Sequence, residues 1–142
     1  MLTTMIDDEI QIVQHTWLDI AKHEGPSIGV LFYTKLFEQS PPIKLVLRND
    51  ASSHGKKFVS MMNYLIEKLD TSNVIHEARS LGRKYADYGL RTEHYDSIKE
   101  ALFWALRNKL GDKWTPNVMV SWIWFYSTIS CIMKDAGRER YA

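Results

Sequence analysis

Leu81-Gly82-Arg83-Lys84-Tyr85-Ala86-Asp87-Tyr88-Gly89-Leu90-Arg91-Thr92-Glu93-His94-Tyr95 is the stretch from which the rest of the chain can be read. It has the pattern of one helix ending, a corner, and a second helix starting. Cations are favoured in the last turns of a helix, and Arg83 and Lys84 supply them. Gly89 can take the left-handed backbone that closes a helix. Thr92 is placed to cap the next helix, with Glu93 in its first turn.

Apolar spacing on both sides of this corner is helical and never alternating. Ile6, Ile10, Val13, Trp17 and Ile20 mark one face of a first helix, which Glu24-Gly25-Pro26 breaks. Pro26 is placed to open a second helix carrying Val30, Leu31, Phe32, Tyr33, Leu36 and Phe37. Ser40-Pro41-Pro42 forces a turn, and a short helix over 43–47 follows. Asn49 to Ser53 reads as a loop ending in a cap. A helix over 54–69 then turns Phe58, Met61, Met62, Leu65, Ile66 and Leu69 inward. Helices over 74–88 and 93–110 flank the corner. Thr115-Pro116 pairs a capping residue with a first-position proline and opens a last helix through Trp122, Phe125, Tyr126, Ile129 and Met133. The tail from Gly137 is expected to fray. The expectation is one all-α domain over 1–142, with seven or eight helices.

Composition agrees. The 142 residues are 45% hydrophobic and 12% aromatic, enough for one filled core. The formal net charge is +1 and the Lys and Arg residues are scattered, so no basic field points to nucleic acid. No apolar run reaches the roughly 20 residues of a membrane span. Asp7, Asp8 and Glu9 do not suit a signal peptide, so a cytoplasmic protein is expected. Cys131 is the single cysteine, which excludes an internal disulfide; its neighbours Ile129 and Ile132 suggest a buried thiol.

The corner, with Leu81-Gly82-Arg83-Lys84, Tyr88-Gly89-Leu90 and His94-Tyr95, resembles the proximal segment of globins. The likeness is to single-domain bacterial haemoglobins and the globin part of flavohaemoglobins. It extends over about residues 5–135, through the run from Gly29 to Phe37, Leu110-Gly111 with Thr115, and the Trp122 and Tyr126 pair. The resemblance implies a globin fold around a haem pocket, with haem b as cofactor and a small diatomic ligand or peroxide as partner. The charge and the lengths of the apolar runs lead to an expectation of no nucleic-acid or membrane partner, and a homodimer stays open.

On the distal side, the resemblance gives Tyr33 the place of a tyrosine that donates to bound ligand. It gives His54 the place of the histidine or glutamine facing the iron, with Phe58 one turn further on the same face. On the proximal side the chain departs from the family. Tyr85 stands where the iron-binding histidine would be. Leu47 replaces the phenylalanine wedged against the haem. Trp124 is matched to the glutamate that, with a tyrosine corresponding to Tyr95, steers that histidine. Lys57 and Lys84 are candidates for pairing with haem propionates, as are Lys56, Arg83 and Arg91. Metal ligation falls to Tyr85 as phenolate, to His54, or to both. An anionic oxygen ligand favours ferric iron, which turns expectation from oxygen carriage toward peroxide chemistry or redox and gas sensing.

Two other functions compete. The first is a haem-free globin-like interaction or regulatory domain, in which Tyr85, Leu47, Phe58 and Trp124 fill the slot. The second is a pocket for a fatty acid or linear pigment. No Gly-rich phosphate loop is present and a globin would take up the 142 residues, so neither a reductase nor an output domain is expected within them. Peroxidase- or dioxygenase-like activity would then need an external reductant.

Overall fold

The computed structural model describes the backbone of residues 2–24, 27–47 and 51–139, and the side chains of 7–23, 27–44, 46 and 55–139. Seven α-helices account for nearly all of it: α1 (Leu2–Glu24), α2 (Ser27–Gln39), α3 (Pro41–Leu47), α4 (Ala51–Glu67), α5 (Asn73–Asp87), α6 (His94–Leu110) and α7 (Pro116–Arg138). A 3-10 turn, Gly111–Lys113, joins α6 to α7. No strand occurs among the described residues, as the helical spacing requires. None of the described helices is long and apolar enough to cross a membrane.

Several boundaries differ from those read in the sequence. Helix α3 begins at Pro41, because proline needs no N–H bond in a first turn. Helix α4 begins at Ala51, inside the expected loop. Helix α7 runs through Arg138, and Gly137 is buried where fraying was expected. Residues 140–142 of the tail lie outside the described residues. Cys131 is exposed, not buried. It stands about 100° around the helix from its buried neighbour Ser130, so apolar neighbours in sequence do not share its face.

The core is aromatic at its centre. Trp17 on α1 meets Phe58 on α4 and Trp122 on α7 at ring-centroid distances of 6.4 and 6.3 Å. Phe32 on α2 stacks on Phe58 at 4.4 Å. Both buried indoles are satisfied: Trp17 Nε1 donates to Asn63 Oδ1 at 2.7 Å, and Trp122 Nε1 donates to Thr16 Oγ1 at 2.9 Å. Each pairing removes the cost of burying an unmatched donor. At the start of α7, Thr115 Oγ1 accepts from the Val118 N–H at 3.3 Å, and Pro116 follows as expected. Thr115→Ala should lower stability by about 1 kcal/mol in chemical denaturation.

Two close helix crossings set the walls of the interior. Helices α2 and α4 cross at Gly29 and Gly55, where a Cβ on Gly29 would strike the Gly55 backbone. Helices α5 and α7 cross at Gly82, where a Cβ would lie 2.7 Å from Met133 Cα. Tyr33 follows Gly29 by about one turn, Phe58 follows Gly55, and Tyr85 follows Gly82. The residues that face the interior are therefore fixed next to the places where backbones touch.

Candidate ligand cavity and its two tyrosines

The corner after α5 shows how Tyr85 is held. Gly89 has φ 105°, in the region that favours glycine. The Leu90 N–H donates to the Tyr85 carbonyl at 2.9 Å, and the Gly89 N–H to the Ala86 carbonyl at 3.0 Å. This pair of bonds is a Schellman closure, which brings the residue after the glycine back over the last turn. Leu90 and Tyr85 accordingly line one cavity. The cap of α6 differs from expectation. Glu93, not Thr92, holds the N-cap position, and no side-chain cap bond forms there. The His94 and Tyr95 N–H groups donate to the Arg91 and Thr92 carbonyls instead, at 3.0 and 3.2 Å, and the His94 ring accepts from the Arg91 N–H through Nδ1 at 2.9 Å.

The cavity lies between α2 and α4 on one side and α5, α6 and α7 on the other. Tyr33, Leu36, Phe58 and Leu65 line the first side, with Ile43 of α3. Tyr85, Leu90, Tyr95 and Ile98 line the second, and α7 closes it with Phe125, Ile129 and Met133. The space open to the centre of a water molecule is about 100 Å³.

Polar groups inside are few, and they are mainly phenols. Tyr33 is buried, at 6% exposure, and its ring stands edge-on to Phe58 at 5.8 Å. Burial pushes the Tyr33 hydroxyl well above its usual pKa, and the Tyr85 phenol adds to the shift. Burial likewise raises the Tyr85 hydroxyl, with a further contribution from Tyr88. Both are therefore neutral at pH 7, and each phenol responds to charge on a neighbour, Tyr33 to Tyr85 across the slot. Tyr126 is accounted for structurally: its hydroxyl donates to the Tyr95 carbonyl at 2.6 Å and braces α6 on α7.

Of the residues singled out in the sequence, Tyr33, Phe58, Tyr85 and Tyr95 come together here. Trp124 does not. It is half-buried on α7 and packs on the core outside the cavity lining. The face of α7 toward the slot carries Phe125, Ile129 and Met133 at helical spacing, and Trp124 is turned away from it. Lys57 and Lys84 are exposed. The Lys84 Nζ sits 5.9 Å from the Tyr85 ring centroid, at the rim. Arg83 pairs with Glu139 at 3.6 Å. The side chains of Leu47 and His54 lie outside the described residues. Ser130 was not singled out in the sequence, although it follows Tyr126 by about one turn.

The chemistry of the lining, apolar walls with phenols among them, suits an apolar ring system held by an oxygen donor. The walls are aromatic and aliphatic, and a buried phenol faces a cost on ionising that a bound cation would offset. Cys131 is exposed and outside the lining, so nothing in the slot would attach a porphyrin through thioethers.

Known proteins share this architecture. The family model described as Globin matches residues 30–133. The chain is 24% identical over 142 residues to a flavohemoprotein of Bacillus subtilis (strain 168), covering 96% of this chain and 35% of that protein. It therefore spans about a third of that relative. It is 26% identical over 141 residues to a leghemoglobin of Medicago sativa, covering 91% of this chain and 95% of that one. Among solved structures, a hexacoordinated heme protein from an anhydrobiotic tardigrade superposes with a TM-score of 0.80 at 17% identity, over 92% of this chain and 94% of that chain. A flavohemoglobin from Malassezia yamatoensis with bound FAD and heme gives 0.72 at 20% identity, over 94% of this chain and 36% of its own.

Proposed function

The chain belongs to the globin family, and on that premise we propose that it is a haem-binding globin whose proximal iron ligand is the Tyr85 oxygen. The observation that carries this reading is the position of Tyr85. It lies on the wall that α5 presents to an apolar slot, facing Tyr33 from the opposite wall. When bound, haem b would supply a redox-active iron.

The chain's own residues would do the rest. Phe58, Leu36 and Leu65 exclude water from the Tyr33 side. Exclusion of water strengthens every charge interaction within. The Tyr33 hydroxyl is placed to donate to a small diatomic ligand or peroxide, stabilising negative charge on it as oxyanion-hole donors do. Tyr85 would give up its proton and hold the iron as phenolate, which favours the ferric state. That preference supports peroxide chemistry or redox and gas sensing in a cytoplasmic protein over reversible oxygen carriage. His54 is the alternative ligand from the other face.

Ferric haem added to purified protein should give a stoichiometric Soret band that changes in Tyr85→Phe. A band that survives Tyr85→Phe and disappears in His54→Ala would move the ligand to α4. The second reading is a haem-free interaction domain. The small free space, walled by Phe58, Tyr33 and Tyr85, favours it, since a core without cofactor must close on itself. Absence of any haem uptake would establish that reading instead.

A further inference from the structure

Haem in the slot leaves one aromatic residue of this corner without a role. Tyr88 caps the C-terminus of α5 and is 54% exposed. Its ring stands edge-on to Tyr85, with centroids 6.0 Å apart and planes at 84°. The spacing is set by backbone, because the Tyr88 N–H donates to the Lys84 and Tyr85 carbonyls at 3.2 and 3.1 Å. Tyr85 lines the cavity and Tyr88 faces solvent. One aromatic contact thus joins the interior to the surface.

The cavity itself cannot take both an oxidant and a reducing substrate of any size. Its free space is only about 100 Å³ before haem enters, and its walls are close-packed apolar side chains. A larger electron donor must work from outside.

We propose that the Tyr85–Tyr88 pair carries oxidising equivalents outward, one electron at a time, and that Tyr88 is the surface site at which a phenolic reductant is oxidised by hydrogen peroxide. This rests on haem ligation at Tyr85. The balance is simple. Hydrogen peroxide takes up two electrons and two protons and becomes two waters. Each electron leaves Tyr88 by way of Tyr85 as the Tyr88 hydroxyl loses its proton to solvent, which leaves a neutral phenoxyl radical. That radical takes a hydrogen atom from the phenol at the surface. Tyr88 is restored and the phenol departs as its own radical. Two phenols are consumed per peroxide.

The test uses haem-loaded wild type, Tyr88→Phe and Tyr64→Phe. Tyr64 is a fair control, exposed on α4 and outside the cavity lining. Phenylalanine keeps the ring of Tyr88 and removes only the exposed hydroxyl, so folding is preserved. Each protein is first checked for its Soret band, then given hydrogen peroxide with a nitroso spin trap. Trypsin releases the peptide from Tyr85 to Arg91, and fragmentation assigns the adduct. The expected adduct is on Tyr88 in wild type and Tyr64→Phe, with loss of the adduct and of guaiacol oxidation in Tyr88→Phe. An adduct confined to other tyrosines, or guaiacol oxidation unchanged in Tyr88→Phe, would overturn the proposal while the Soret band stands. Absence of the Soret band itself would remove haem ligation, and this inference with it.

Discussion

Ferric haem should bind this protein about tenfold more tightly for each unit that pH rises between roughly 6.5 and 8.5, and Tyr85→Phe should abolish that slope. The sign follows from the proton count. A phenol ordinarily titrates near pH 10. Burial holds the Tyr85 hydroxyl above that, so without ligand it keeps its proton throughout this range. Ligation through phenolate releases one proton, and rising pH draws the equilibrium toward the complex. Two units amount to about a hundredfold, or ~2.7 kcal/mol. At pH 7 the cost of removing the proton is at least ~4 kcal/mol, taking three units below 10 at about 1.36 kcal/mol each. Affinity at neutral pH should therefore fall well short of its alkaline limit. Ligation by His54 predicts a different curve. A neutral imidazole holds iron without giving up a proton, so that ligand should show no such slope at neutral to alkaline pH. Tyr33→Phe should leave the slope intact, because Tyr33 would donate to the ligand without ionising. A flat titration of the wild type above pH 7 would exclude Tyr85 as the ligand whatever the Soret band shows.

The parts of this site that could be read in the sequence share a local cause. Gly89 announced the corner because few other residues accept its backbone, and the structure gives it φ 105°. Thr115-Pro116 announced the start of α7 for a similar reason. Thr92 misled because the His94 and Tyr95 N–H groups bond the Arg91 and Thr92 carbonyls, so backbone serves where a side-chain cap was expected. Cys131 misled because it was placed by adjacency along an uninterrupted 23-residue helix. Nothing in such a helix marks register, and an error of one residue turns a side chain by about 100°. The glycines were the unused signal. A glycine inside a helix costs about 1 kcal/mol relative to alanine, so Gly29, Gly55 and Gly82 each imply something too close for a Cβ. The sequence could show that a close approach exists. It could not show the partner, because the contacts are with distant backbone.

That reasoning gives the second large effect: Gly82→Ala should destabilise the protein by about 1–3 kcal/mol, despite replacing glycine with the best helix former. The added methyl would fall against the Met133 backbone, 2.7 Å from its Cα and 2.9 Å from its carbonyl carbon. Backbone cannot rotate aside as a side chain can, so α5 and α7 must separate. Those helices form the wall that carries Tyr85, one turn further along α5. Gly137→Ala is the internal control on the same crossing. Its Cβ would lie 3.4 Å from Ala86 Cβ and 3.4 Å from the Gly82 carbonyl oxygen. These contacts are tight but tolerable, so the gain in helix propensity should roughly cancel them. Thermal unfolding should show Gly82→Ala lower by about 5–10 °C, with Gly137→Ala close to wild type. The same separation should weaken haem binding in Gly82→Ala even where the protein remains folded, because Tyr85 moves with its helix. A Gly82→Ala protein as stable as wild type would mean that α5 and α7 do not meet backbone to backbone. The position of Tyr85 over the slot would then have to be set by something other than this crossing.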